Sequence, residues 1–456
     1  MAVMAASLSD SYPMQENLDV DAPGQTVFER FVALSCFAGL LFLTVALIGL
    51  KVSDFPVRSL VAIGLLGIFT LIYPSRIVRA VQNHVLTLWL ALAFAILGVF
   101  VSAVYGSPLS TIFRGLMEVP LQIAITLVLA SALARLSGTR SSVMAIVAVV
   151  GASTLVALFQ FLDVGAAWDL ARWLGQVQGR SAFELSESLE SRPMGLSYSK
   201  IHLSTQLCLA FAAYTAFKDG QSQLAHAERA VDPMIIVALL LLFVGCLATG
   251  TRAPILGGII FFVLYALHRP GSWLLILALI FAAFLIVIGP TLLAMVQEVQ
   301  PRFFRSDDNS ASGRTSLVTF GFLLFFDNPL GYGYGFEPTE HWTKFWQDLY
   351  HQDHPTSITV ADLHNYPLNM LNTYGVGLLL LVPLVYALLR RGRHAIIFFI
   401  PYIVQILFHN SGPFWNDIVF WFVVAALAAQ NRQLIGRANR PFDEQDISTA
   451  DIRRAA

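Results

Sequence analysis

Long apolar runs separated by short polar turns dominate the chain, and most runs have the length a bilayer demands. A helix needs about 20 mostly apolar residues to cross the hydrocarbon core. About twelve segments fit: Phe31–Leu50, Val57–Tyr73, Val85–Val104, Leu116–Ala134, Ser142–Phe161, His202–Phe217, Pro233–Ala248, Ala253–Ala266, Trp273–Met295, Tyr366–Leu389, Ala395–Phe408 and Phe414–Ala429. Lipid offers no water to backbone N–H and C=O groups, so each span is expected to be helical. The fold class expected is all-α and polytopic.

Two polar excursions interrupt the pattern, Asp163–Lys200 and Gln297–Tyr366. In the first, Trp168, Ala171, Leu174 and Val177 share a helical face opposite Asp169 and Arg172, which predicts a helix lying on the membrane surface. In the second, Trp342, Phe345, Trp346 and Leu349 fall at i, i+3, i+4 and i+7, again one helical face. That aromatic face is either an interface anchor or a wall against which a ligand's rings or lipid chain pack. A polar stretch as long as the second excursion is uncommon unless functional or disordered. Its Trp and Tyr content argues against disorder, so it is expected to roof an active site.

Composition agrees with the pattern. The 456 residues are 56% hydrophobic and 12% charged, whereas soluble domains carry roughly 25% charge. Twenty-eight basic residues balance 29 acidic ones, so nothing points to nucleic acid. Cys36, Cys208 and Cys246 all sit in apolar runs, which predicts neither a disulfide framework nor a thiolate metal site. Basic residues collect in alternate loops: Arg76 and Arg79, Arg135 and Arg140, Lys218 and Arg229, Arg269, and Arg390, Arg391 and Arg393. By the positive-inside rule these loops and both termini are cytoplasmic, and both excursions are outside. The organisation expected is a disordered tail over 1–27, an N-terminal bundle over 28–235 containing the outer segment 163–200, a catalytic region over 236–390 containing the outer loop 297–365, two last helices over 391–430, and a tail over 431–456.

Candidate chemistry gathers at the outer ends of the spans. Arg192, Arg252, Arg314 and Arg302 fall in loops or at helix ends. Each can snorkel to headgroups. Arginine also presents parallel donors that suit phosphate oxygens, and several together would neutralise a diphosphate without a metal ion. His364-Asn365 opens the tenth span; Asn365 can cap a helix, while a histidine with an ordinary pKa near 6.5 can accept a proton at neutral pH. His409-Asn410 ends the eleventh span and can face the same space. The Gly331, Gly333 and Gly335 run lacks dinucleotide-motif spacing and predicts a tight turn. No metal-ligand spacing is present. Asp307-Asp308 reads as a solvated turn, and Asp19 to Asp21 lies in the N-terminal tail. Asp54, in the first outer loop, is a spare candidate base.

Four motifs in order carry a resemblance: Thr249-Gly250-Thr251-Arg252, Ser312-Gly313-Arg314, Asn328-Pro329-Leu330-Gly331-Tyr332-Gly333, and His364-Asn365 with Leu368 entering a helix. This order resembles the O-antigen ligase and polymerase superfamily over roughly Leu240–Leu380, and Arg192-Pro193-Met194-Gly195 is similar to a segment ahead of that region in some members. The resemblance implies a GT-C-like glycosyltransferase of the bacterial inner membrane with its active site in the periplasm. Such enzymes use undecaprenyl-diphosphate-linked oligosaccharide, invert the anomeric centre, and need no metal or other cofactor. Carried over by position, Arg252 and Arg314, with Arg192 as a third, hold the donor diphosphate, and His364 activates the acceptor hydroxyl. Arg302, Asn365, Trp342, Trp346 and His409 are candidate substrate-lining residues.

Three functions remain. A polymerase extends surface polysaccharide or exopolysaccharide from a second lipid-linked repeat, with a chain-length regulator as a candidate partner. A ligase moves the finished glycan to a terminal acceptor such as lipid A-core. A lipid-linked sugar flippase or transporter is the rival of a different class, and titratable groups lining a central cavity would favour it. Two substantial outer segments, able to hold two lipid-linked substrates, favour the polymerase.

Overall fold

The computed structural model describes residues 26–52, 55–180, 193–224, 233–268, 309–352, 355–360, 362–391, 393–415 and 417–438. The first helix, α1 (Val27–Ala46), starts at a reciprocal cap: Thr26 accepts from the Glu29 amide, and the Glu29 carboxylate accepts from the Thr26 amide. A minute antiparallel pair, β1 (Lys51–Val52) with β2 (Phe55–Pro56), leads into α2 (Val57–Ile72). The chain then bends by 116° into α3 (Pro74–Asn83), which buries Ile77 and Ala80, leaves Arg76 half-buried and exposes Arg79. Sequence patterning treats α3 as a loop, because its apolar face is only two turns long.

Next come α4 (Val85–Tyr105) and α5 (Leu109–Leu116), then a π-helical turn at Met117–Leu121 and α6 (Gln122–Ser137). Pro120 lies inside that turn. A proline has no amide to donate and displaces the preceding carbonyl, which accounts for the local change of winding. The helices α7 (Thr139–Phe161) and α8 (Gly165–Val177) follow. As its face predicts, α8 buries Ala171 and Leu174 and exposes the Arg172–Asp169 ion pair.

The central helix is α9 (Lys200–Leu224), which packs against α7 and against three later helices, α10 (Pro233–Thr249), α11 (Ala253–His268) and the last helix of the chain. Nearly every position from Leu203 to Ala213 is buried, and the stretch is small and polar: Ser204, Thr205, Gln206, Cys208, Ala210, Ala212 and Ala213. Small side chains let neighbouring helices approach closely in a membrane bundle. A helix enclosed by protein need not be as apolar as one that faces lipid, which is why this one is not among those apolar enough to cross a bilayer on composition alone.

Where the sequence shows one long polar loop, the structure builds a small helical layer. It comprises α12 (Asn309–Asp327), a 3-10 turn at Pro338–Glu340, α13 (Trp342–Leu349) and α14 (Ser357–Val360). Leu317, Phe320 and Leu324 meet Tyr332, Phe336, Phe345, Leu349 and Ile358 in a separate apolar core. The chain ends with α15 (Tyr366–Tyr374), a 3-10 stretch over Gly375–Leu381, α16 (Val382–Arg391), α17 (Arg393–Ile396), a 3-10 turn at Ile397–Phe399, α18 (Ile400–Leu407) and α19 (Ile418–Ala438).

Among the described residues five helices are long and apolar enough to cross a membrane, or six if the bent pair α2 and α3 forms one span. Four of the remaining expected spans coincide with shorter apolar helices, at Pro233–Thr249, Ala253–Leu267, Ile397–Leu407 and Ile418–Ala428. The expected span Trp273–Met295 lies outside the described residues, as do Asp54 and the tails. The molecule is an all-α membrane protein, and among the described residues the strands form one two-residue pair.

Candidate functional site

The candidate site lies at the end of the bundle where α15 begins and α18 stops. Asn365 caps α15 by accepting from the Leu368 amide at 2.9 Å, and its side-chain amide donates to the Leu407 carbonyl of α18 at 3.1 Å. One residue thus starts one helix and ties it to the end of another, which fixes His364 beside the turn that carries His409. Further bonds lace the same two segments. Asn410 donates to Asp362 at 2.9 Å, and the Phe414 amide donates to the Tyr366 hydroxyl at 3.1 Å. The 409–417 turn is closed by a Gly412–Trp415 bridge, and Tyr402 donates to Asp417 at 2.9 Å.

His364 and His409 meet edge to face with ring centroids 6.4 Å apart. Both Nδ1 atoms are buried and make no hydrogen bond to the described protein atoms. Burial, then the charge of Arg314, pull His364 below its ordinary histidine range, with Asp362 pulling the other way. Burial pushes His409 down to about 3, and Arg314, His364, Lys200 and His202 add to that effect. Both rings are therefore neutral at physiological pH.

Arg314 reaches this place because α12 packs closely on its neighbours. A β-carbon at Gly313 would lie 2.4 Å from the Ser357 hydroxyl, which marks how closely α14 packs against α12 there. Asn372 of α15 donates to the Gly321 carbonyl of α12 at 2.9 Å. The glycine-rich run is a lock of the same kind. Gly331 and Gly333 have positive φ, the Tyr332 and Gly333 amides donate to the Asn372 and Thr373 carbonyls, and the Tyr334 amide donates to Ser102 of α4 at 2.7 Å. The turn expected there is present, and its work is to bolt the polar layer to α4 and α15.

Arg252 is exposed and follows a left-handed Gly250. Its carbonyl accepts the first amides of α11, and Pro254 falls in the first turn, where a missing amide costs no helical bond. Gly257 packs on Pro401 and Val404, and Phe261 packs on Phe398, so α11 and α18 run antiparallel. Arg252 consequently lies at the same end as His409. The two indoles Trp342 and Trp346 pack edge to face at 5.6 Å, half-buried against the small apolar core around Phe345. They line that layer rather than the histidine pair. Arg192 and Arg302 lie outside the described residues, although Met194 and Gly195, just after Arg192, are clamped by the Gln160 side chain at 2.9 Å.

The sequence reading missed Lys200, whose charge bears on His409, and His202, which lies near it and which burial keeps neutral. Arg180 comes to this neighbourhood as well: it donates to the Tyr198 carbonyl at 2.9 Å and stacks over the Tyr198 ring, which itself meets His202 edge to face. The available signal was the polar cluster Ser197 to Ser204 at the head of an apolar run, which reads as the border of a span. Among the described residues no group of three or more His, Cys, Asp or Glu could hold a metal ion.

Residues 237–383 match the family model described as O-Antigen ligase. The matched stretch contains Arg252, Arg314, His364 and Asn365, and leaves His409, Lys200 and His202 outside it. The match covers residues 237–383 of 456, and over that stretch the chain is similar to the O-antigen ligase family. No curated protein and no solved structure matches the chain.

Proposed function

We propose that the chain is an inverting, metal-independent glycosyltransferase that polymerises undecaprenyl-diphosphate-linked oligosaccharide repeats at the periplasmic face of the bacterial inner membrane. What supports this reading is His364, held next to the Asn365 cap of α15 and facing His409, where the charge of Arg314 reaches it, with His364 and Arg314 both inside the matched region. Twelve spans in a GT-C-like arrangement, with both termini cytoplasmic, are part of the same proposal. Arg252 and Arg314, with Arg192 as a third, hold the donor diphosphate, and Arg302 lines the substrate path. Asn365 positions His364, while Trp342 and Trp346 border the glycan's path.

In the reaction His364 takes the proton of the acceptor hydroxyl as its oxygen attacks the anomeric carbon. The bond from that carbon to the diphosphate oxygen breaks on the opposite face, which inverts the centre. The electron pair leaves with the lipid diphosphate, and the arginines stabilise the charge that develops there, the contribution that usually dominates such catalysis. His364 then returns its proton to solvent.

A ligase is the second reading, favoured by the name of the family that the chain matches over residues 237–383. The test is a deletion strain complemented with the wild-type chain, His364→Ala or Arg314→Ala, with surface glycans and lipid-linked intermediates resolved by size. The deletion should leave single repeats on the final acceptor and no long chains. Long chains stranded on the lipid carrier mean a ligase, and single repeats held at the inner leaflet mean a flippase. Wild-type polymer from correctly inserted His364→Ala would remove His364 as the base.

A further inference from the structure

Neither the diphosphate clamp nor proton removal uses His409, yet the fold goes to some length to place it. Its turn is tied to the His364 segment by Asn410 to Asp362, Asn365 to Leu407 and Phe414 to Tyr366. Its side chain is 6% exposed, and its Nδ1 is buried with no bond to the described protein atoms. Native interiors satisfy such nitrogens almost always, and an exception has a cause, a bound water or a ligand group among them. That nitrogen belongs to the ring that meets the His364 ring, in a region where Arg314, Lys200 and His202 also act.

The occupant can be argued from charge. With cations around it, the buried His409 ring stays neutral, so it offers a hydrogen bond and no charge. A diphosphate calls for guanidinium groups, whereas a neutral imidazole suits a hydroxyl, which both donates and accepts. We propose that His409 contacts the acceptor, hydrogen-bonding a hydroxyl of the acceptor sugar next to the one that His364 deprotonates. This rests on the transferase reading and adds an acceptor subsite to it.

The experiment uses the full chain in lipid nanodiscs, with the lipid-linked oligosaccharide extracted from the deletion strain as the probe. Donor retention and glycan transfer are measured for the wild type, His409→Phe, which keeps a ring without the hydrogen bond, and His409→Gln, which keeps a hydrogen bond. Losing one buried hydrogen bond to substrate should slow transfer by His409→Phe about 10- to 100-fold. Donor retention should stay within about twofold of wild type by the same reasoning, and His409→Gln should recover part of the transfer. Transfer by His409→Phe within about threefold of wild type overturns the proposal, being less than one hydrogen bond is worth. So does a loss of donor retention in step with transfer in both variants, which marks a purely structural role. Undiminished transfer by His364→Ala instead removes His364 as the base and, with it, the acceptor position that this proposal builds on.

Discussion

A histidine used as a base must be neutral before it acts, and burial and Arg314 both favour that form of His364. Because its folded-state pKa lies below the ordinary value, the ring takes up its proton in more acidic solution than a free histidine does. The acid limb of the transfer rate against pH is therefore expected below 6.5. Removing the Asp362 charge with Asp362→Asn should move that limb further toward acid, since Asp362 is the group that raises His364. A limb above pH 7 would show another group controlling the rate. Both histidines also shape stability. In the unfolded chain each binds a proton below about 6.5, while in the folded protein His409 resists protonation down to about 3. Folding stability is thus expected to fall as pH drops from 6.5 toward that value, measured as the unfolding temperature in detergent. His364→Ala should cost about 10²- to 10⁴-fold in transfer, the usual range for a general base.

At the scale of the element, the polar layer depends on a few close approaches that only glycine permits. Gly333 has φ +78°, and a β-carbon there would lie 2.4 Å from the Ser102 hydroxyl. Gly333→Ala should destabilise the protein by about 1–3 kcal/mol through left-handed strain alone. Ser102→Ala removes the acceptor of the buried Tyr334 amide and should cost about 1–3 kcal/mol. Unchanged unfolding temperatures for both variants would mean that the layer is held elsewhere. The helix α13 was legible in the sequence, because four apolar residues fall on one face. The core that receives this face was not, since Leu317, Phe320 and Leu324 sit in a stretch that reads as part of a loop.

At the scale of the molecule, α9 is the post around which the bundle stands. Ala212 and Ala213 are buried in it, and Gln405 of α18 donates to Ser204 at 2.8 Å. Ala212→Leu should overpack the bundle and cost about 1–3 kcal/mol. Orientation belongs to this scale as well. Tyr350 lies on the polar layer and is half exposed, while Arg76 lies on α3, beyond one crossing of the bundle. If the site faces the periplasm, Tyr350→Cys should react in intact spheroplasts with a membrane-impermeant maleimide, and Arg76→Cys only after lysis. The reverse order would place the site in the cytoplasm.

Sequence alone determined the all-helical membrane class, since runs of about 20 apolar residues leave the backbone no other way to satisfy its polar groups in lipid. It also supplied His364, Arg252 and Arg314, because histidine and arginine at the ends of apolar runs stand out against so little charge. Only the tertiary structure decided which of these groups share a space. His364 meets His409 across 45 residues of sequence, and Lys200 and His202 come to the same place from the head of α9. Neither periodicity nor spacing encodes such meetings. They follow from antiparallel packing of α11 on α18, from the cap at Asn365, and from glycines that admit a neighbouring backbone, all of which are properties of the packed bundle.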